Sequence, residues 1–264
     1  MFLLMNTIVF FSRTFVLEPV AFHIGRKPVY WYGIIIAAGF FLALLYAFSE
    51  AKRTGFSQDD LSNAVLIGTP AAIVCARLYY VIFNFKDYKD NLSEIIAVWN
   101  GGIAIYGGLI GACLAGYIYC RIRKISFLQL VDTVCGGFFI GQFIGRWGNF
   151  VNSEAYGVKT SLPWKMGVME GGELIYVHPT FLYESLWNFI GFLILLKLRK
   201  NKKYDGRLFY FYILWYGLGR IWIEGLRTDS LYIGAFRVSQ LVAAICIIVG
   251  GGMLIYNKYG KKGA

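Results

Sequence analysis

The chain has 264 residues, 58% of them hydrophobic and 18% aromatic, with a mean hydropathy of +0.56. Soluble domains are about half apolar, so this composition excludes an ordinary soluble enzyme and points to the membrane. The net charge of +11 is divided among many short segments and forms no single basic face, which excludes nucleic acid as a partner.

The chain opens with an apolar stretch, 1–11, that has no basic residues before it and no small-residue cleavage site after it. This is not the pattern of a cleaved signal peptide. It predicts an extracytoplasmic interfacial segment over 1–30, ending in an aromatic belt at Trp31 and Tyr32. Apolar runs follow at 31–49, 61–83, 102–120, 126–145, 179–199, 207–226 and 237–257. Each approaches the roughly 20 residues that a helix needs to cross the hydrocarbon core, and none alternates as the strands of a membrane β-barrel do. The expected fold is all-α: a polytopic membrane protein with about seven transmembrane helices. Residues 1–264 read as a single integral membrane domain. The longest connection, 146–178, contains Pro163, Gly167, Gly171 and Gly172 and is too polar to span, so it predicts a small extracytoplasmic cap.

Lysine and arginine set the orientation. Lys52 and Arg53 follow the first run, and Arg121, Arg123 and Lys124 the third. Lys197, Arg199, Lys200, Lys202, Lys203 and Arg207 surround the link between the fifth and sixth, and Lys258, Lys261 and Lys262 close the chain. These fourteen of the 26 basic residues fall on one side, which the positive-inside rule makes cytoplasmic. With seven spans the C-terminus is cytoplasmic and the N-terminus outside.

The opposite ends of the runs carry unusual polar groups. Arg77 ends the second, and Trp99, Asn100, Gly101, Gly102, Tyr106, Gly107 and Gly108 open the third. Between 145 and 157 an arginine (Arg146), two asparagines (Asn149, Asn152), a glutamate (Glu154) and three glycines stand where the fourth run ends. His178, Pro179, Tyr183 and Glu184 open the fifth. Charged groups at membrane depth are costly and by default mark a function. Arginine is a planar fork of donors suited to phosphate, and an anionic, phosphate-bearing lipid is the expected ligand. On the sixth run Tyr216, Arg220, Glu224 and Arg227 are spaced four, four and three residues apart. They fall within about 80° of one helical face and extend about 16 Å along it. Two arginines against one carboxylate leave spare positive charge for an anion. Arg77, Arg146 and Arg220 each follow a small residue near the same end of a run, a pattern that would put three arginines around one cavity.

The five cysteines, Cys75, Cys113, Cys120, Cys135 and Cys246, fall within apolar runs without metal-ligand spacing. They read as small packing residues, and neither a metal nor a cofactor is expected. His178, ahead of Pro179 at a helix start, is open to either a capping or a catalytic part.

The segment 145–157 resembles the signature of the bacterial prolipoprotein diacylglyceryl transferases. The resemblance extends in order through Trp31, Tyr32 and Gly33, the stretch from Trp99 to Gly108, His178 to Glu184, and Tyr216 to Arg227. It implies a multi-pass protein of the bacterial plasma membrane. Such a protein moves the diacylglyceryl group of phosphatidylglycerol to the lipobox cysteine of a prolipoprotein signal peptide, forming a thioether and releasing glycerol 1-phosphate at the outer leaflet. Phosphatidylglycerol, the prolipoprotein and membrane lipid are then the partners, and a monomer is the default. Arg146 and Arg220 would stabilise the leaving phosphate, with Arg227, Asn149 and Asn152 assisting, and Tyr32, Arg77, Tyr216 and Glu224 would complete the substrate site. The thiol needs a base, for which Glu154, His178 and last Tyr106 are candidates, because thiolate is the nucleophile. Many family members carry histidine where this chain has Tyr106. A phenol with a reference pKa near 10 is a poor base, so hydrogen-bond donation is the expected part for Tyr106. The competing expectation from another class is a transporter or flippase for an anionic lipid or solute. It fits less well, because the polar groups gather toward one leaflet and not at the midplane.

Overall fold

A computed structural model describes residues 6–11, 13–89 and 91–259, without the side chain of Asn100. The first residues of the apolar start, 1–5, and Lys261 and Lys262 lie outside the described residues. The long helices are α1 (Trp31–Thr54), α2 (Gln58–Phe83), α3 (Ile105–Arg123), α4 (Phe127–Asn152), α5 (Thr180–Leu198), α6 (Arg207–Leu226) and α7 (Val238–Tyr259). The protein is an α-helical polytopic membrane protein. Six of these helices are long and apolar enough to cross a bilayer. The sixth helix, α6, is not among them, since its tyrosines, Arg220 and Glu224 dilute its apolar face. Exposed apolar side chains such as Leu66, Ile82, Ile122, Ile190 and Ile248 cover the helix surfaces, as expected where lipid replaces water.

The chain divides into two compact units, Phe48–Thr133 on the one hand and Met1–Ala47 with Val134–Ala264 on the other. In the former, Ser57 caps α2 by accepting from the Asp60 amide at 3.1 Å. The α2–α3 pair is close because α3 presents glycine at the contact. A Cβ on Gly111 would lie 2.6 Å from both the Ala71 carbonyl oxygen and the Cys75 Cβ. At the other end of the pair Asp60 accepts from the Tyr119 hydroxyl at 2.7 Å and from Arg123 Nε at 3.0 Å. Lys124, in the left-handed region at φ 58°, then ends α3.

In the second unit α1 lies on α4, where Tyr46 covers Gly136 and the Tyr32 ring covers Gly148. Helices α5 and α6 are joined by a reciprocal clasp. Trp187 Nε1 donates to the Trp215 carbonyl and Trp215 Nε1 to the Trp187 carbonyl, both at 2.9 Å, and the stacked rings are 4.5 Å apart. Each indole lies over a glycine of the facing helix, Trp187 over Gly219 and Trp215 over Gly191. Gly217 and Gly250 give α6 and α7 the same closeness.

Short strands, which the helical reading did not predict, accompany the helices. Strands β1 (Asn6–Phe10) and β2 (Arg13–Leu17) join β5 (Met166–Glu170) and β6 (Glu173–Val177) in one antiparallel sheet, ordered β2-β1-β5-β6. Strands β3 (Val20–Ile24) and β4 (Lys27–Tyr30) form a hairpin, as do β7 (Tyr232–Ile233) and β8 (Phe236–Arg237). Ile8, Met166, Val168 and Val177 of the four-stranded sheet pack with Phe181 of α5 in a small apolar core. The segment 146–178, expected as a loop, therefore begins as the end of α4 and continues into the β5–β6 hairpin, with Gly171 and Gly172 at positive φ in its turn. Glycines within 145–152 weaken the helix without ending it, because backbone hydrogen bonding continues.

Two neighbouring glycines give a matched test of the α2–α3 contact. A Cβ on Gly108 would meet its nearest atoms at 3.6 Å, an ordinary contact. Gly111→Ala should lower the thermal unfolding midpoint in detergent by roughly 3–10 °C, whereas Gly108→Ala should leave it nearly unchanged.

Candidate active site

Three guanidinium groups converge on one carboxylate. Glu184, in the first turns of α5, is only 7% exposed. Its Oε2 lies 2.5 Å from Arg146 Nη2 of α4, and its Oε1 lies 2.9 Å from Arg220 Nη1 of α6 and 3.6 Å from Arg227 Nη1 just beyond α6. Arg220 Nη2 also approaches Glu224 Oε2 to 2.6 Å and Ser239 Oγ of α7 to 3.5 Å. Glu224 is 1% exposed, and its Oε2 has an ionic contact without the alignment of a hydrogen bond. Arg227 is braced by two hydrogen bonds to Asp229, at 2.9 and 2.6 Å. The hydrogen bond from Arg227 holds the Asp229 carboxyl below its ordinary range, despite partial burial, and the guanidinium charge adds to the effect.

Beside this cluster is a small, partly open pocket lined by Gln142, Arg146, Glu184, Trp187, Asn188, Tyr216, Gly219, Arg220 and Ile223. The tryptophan clasp fixes its wall, since Gly219 under Trp187 is the residue before Arg220, and Glu184 and Asn188 sit on either side of Trp187. Gln142 Nε2 donates to the Tyr212 hydroxyl at 2.9 Å.

The signature segment extends the cluster through a chain of polar contacts. Arg146 Nη1 donates to Asn149 Oδ1 at 3.1 Å, and Asn149 Nδ2 donates to Glu154 Oε1 at 2.9 Å. Asn152 Nδ2 reaches the same oxygen at 3.4 Å. The exposed Glu154 carboxylate is thus set in place by a turn in which Ser153 and Ala155 adopt positive φ, 52° and 57°. Such conformations are costly for residues with a Cβ, so the surrounding structure enforces them. The Thr180 hydroxyl donates to the Ala155 carbonyl at 2.5 Å and supplies part of that enforcement.

His178 precedes α5, and its Nδ1 is 3.2 Å from the Tyr183 hydroxyl, which also accepts from Trp164 Nε1 at 2.8 Å. Its backbone is tied to the signature segment, the Gly157 amide donating to the His178 carbonyl at 2.9 Å. Tyr32 packs on Gly148, on the helix that carries Arg146. The sequence pattern grouped Arg77 with Arg146 and Arg220, but Arg77 and Tyr106 belong to the other compact unit. There Arg77, 4% exposed, donates to the carbonyls of Glu94, Ile95, Gly101 and Gly102 at 2.5–2.8 Å and lies 5.0 Å from the Tyr88 ring. These hydrogen bonds tie its guanidinium to the loop 94–102. Gly101 and Gly102 take positive φ, and a Cβ on Gly102 would strike Arg77 Nη1, which explains the paired glycines.

The spare positive charge inferred from α6 is also revised, because Glu184 and Asp229 answer the arginines that Glu224 leaves over. Glu184 and the amides of Gln142 and Asn188 were not among the expected site residues. Helical spacing carried the signal: Gln142 precedes Arg146 by one turn and Asn188 follows Glu184 by one turn, so polar groups recur on one face of each apolar helix.

The family model of the prolipoprotein diacylglyceryl transferases matches residues 19–256. The chain belongs to the prolipoprotein diacylglyceryl transferase family. A phosphatidylglycerol–prolipoprotein diacylglyceryl transferase of Clostridioides difficile (strain 630) is 49% identical over 246 residues, 93% of this chain and 97% of that protein. Proteins of the same name from Lysinibacillus sphaericus (strain C3-41) and Clostridium botulinum (strain Langeland / NCTC 10281 / Type F) are each 48% identical. These alignments cover 94% and 93% of this chain and 95% and 99% of the relatives.

Two tests follow for this transferase-family chain. Arg77→Met should raise amide hydrogen exchange over 94–102 by at least about tenfold, through loss of charge-assisted hydrogen bonds to carbonyls. For Asp229, a depressed folded-state pKa means that its stabilisation is present above the unfolded value of about 3.9 and is lost as pH falls through the folded one. Asp229→Asn should therefore show a smaller fall in thermal midpoint than the parent when the pH is taken below about 4.

Proposed function

We infer that this chain transfers the diacylglyceryl group of phosphatidylglycerol to the lipobox cysteine of a prolipoprotein, forming a thioether and releasing glycerol 1-phosphate. The observation that carries the reading is the convergence of Arg146, Arg220 and Arg227 beside a cavity, in a chain of this family. The reaction is a displacement at an sp3 carbon. The cysteine sulfur forms a bond to the glyceryl carbon while the bond from that carbon to the phosphate-ester oxygen breaks, and the electron pair departs with the phosphate.

The chemistry makes two demands, and neither requires a cofactor. Charge growing on the phosphate must meet preorganised donors in a water-poor site, the part given to Arg146 and Arg220, with Arg227, Asn149 and Asn152 assisting. The planar fork of arginine also suits the paired oxygens of a phosphodiester. Tyr32, Tyr216 and Glu224 shape the site around the lipid headgroup. The thiol proton must leave, since thiolate is the nucleophile. Glu154, exposed and oriented by Asn149 and Asn152, is the preferred acceptor. His178 is the second candidate, its Nδ1 within reach of Tyr183. Tyr106 serves as a hydrogen-bond donor, in place of the histidine that many family members carry.

The topology that suits this reaction has seven spans with α6 as one of them, because its charged face is answered by α4 and α5 and needs no water. The N-terminus and the segments 1–30 and 146–178 lie outside, the C-terminus is cytoplasmic, and the site faces the outer leaflet. Residues 1–264 act as one membrane-embedded domain, as a monomer, in the bacterial plasma membrane.

Purified protein given phosphatidylglycerol and a lipobox peptide should add one diacylglyceryl mass to the peptide, and a serine-substituted peptide should gain nothing. Arg146→Ala should lower the transfer rate at least about 100-fold. No addition to the cysteine peptide, or equal addition to the serine peptide, overturns the assignment.

A further inference from the structure

The arginine cluster holds an anion of its own. Guanidinium groups repel one another, and in a partly buried site they gather only around negative charge. Here that charge is the Glu184 carboxylate, 2.5, 2.9 and 3.6 Å from nitrogens of Arg146, Arg220 and Arg227, with both of its oxygens engaged. Glu184 also lines the cavity together with Arg146 and Arg220. It therefore occupies the position between the guanidiniums that a bound phosphodiester needs.

Charge decides what happens when that ligand arrives. In the contacts of this cluster the three arginines face three carboxylates, Glu184, Glu224 and Asp229. Adding a phosphodiester, which carries one negative charge, would leave an uncompensated charge in a poorly hydrated site, a costly state. The balance within the cluster is unchanged if one carboxylate swings out of it, away from the arginines, as the phosphodiester enters. Glu224 is the poorer candidate for exchange, because it is 1% exposed and does not line the cavity. Asp229 braces Arg227 with two hydrogen bonds and is likewise outside the lining.

We propose that Glu184 is a displaceable internal anion: its carboxylate holds Arg146, Arg220 and Arg227 together in the empty site, yields them to the phosphodiester of the lipid, and competes with the phosphate product for them afterwards. The proposal rests on the reading of the cluster as a phosphate site. It makes Glu184 a positioning residue that weakens anion binding and hastens product release. A merely structural Glu184 would have the opposite effect on affinity, since its removal would let the arginines splay.

The test uses the full chain in detergent and glycerophosphoglycerol, the headgroup diester without acyl chains, with binding followed by calorimetry. Glu184→Gln, nearly isosteric and uncharged, should tighten binding at least tenfold over the parent, while Arg146→Gln should weaken it. In turnover with phosphatidylglycerol, Glu184→Gln should lower KM and kcat together, with added glycerol 1-phosphate a stronger inhibitor. Equal or weaker binding by Glu184→Gln at an unchanged thermal midpoint overturns the proposal, as does the absence of detectable binding in both proteins. If Glu184→Gln does not fold, Glu184→Asp decides, because a carboxylate shortened by one methylene competes less well and should tighten binding in the same direction. A parent that transfers lipid while neither variant binds more tightly retains the proposed function and loses only this inference. A parent that transfers nothing loses the function, whatever the binding shows.

Discussion

The paired tryptophans between α5 and α6 are the constraint on which the polar site depends. Each indole spends its one donor on a carbonyl of the facing helix and rests on a glycine there. Neither helix can slide or rotate without breaking both hydrogen bonds and driving an indole into backbone. In an apolar surrounding such bonds have no water to replace them. With that register fixed, Glu184 and Arg220 must meet, and Arg146 and Arg227 close on the same carboxylate from α4 and from the end of α6. A weakly directional lipid-facing surface thus surrounds a rigidly indexed interior.

Arginine illustrates how little residue type alone decides. Arg77 and Arg146 stand at similar points in the sequence pattern, each near the end of an apolar run behind a small residue. Arg77 donates four hydrogen bonds to carbonyl oxygens of the loop 94–102, which its guanidinium ties together. Arg146 instead meets the side chains of Glu184 and Asn149 and lines the pocket. The difference lies in what the neighbouring loop folds into, and no pattern of small residues before an arginine encodes that.

The helices were legible because an apolar run long enough to cross a bilayer has few alternatives, and the signature segment because polar residues are so conspicuous against it. Reading spans by hydropathy nevertheless set the end of α4 too early, since Arg146, Asn149 and Asn152 lower the apolar average while their backbone stays helical through Asn152. The strands escaped for a similar reason. Segments such as Asn6–Phe10 and Met166–Glu170 are short, and the pairing that joins their two hairpins into one sheet links residues far apart along the chain. Glu184 was visible as a polar residue at a helix start, but its centrality came from three separate elements folding against it.

The four-stranded sheet has a consequence for how the protein is made. Strand β1 is synthesised before α1 to α4, yet one of its neighbours, β5, comes after those four long helices. Its edge amides, and the Asn6 side chain that donates to the Val151 carbonyl at the end of α4, must wait through the synthesis of those helices. The sheet is therefore a late event of biogenesis, closed only after α4 is in place. Until then the edge of β1 that pairs with β5 has no partner in the sheet, an open edge that another strand could pair with.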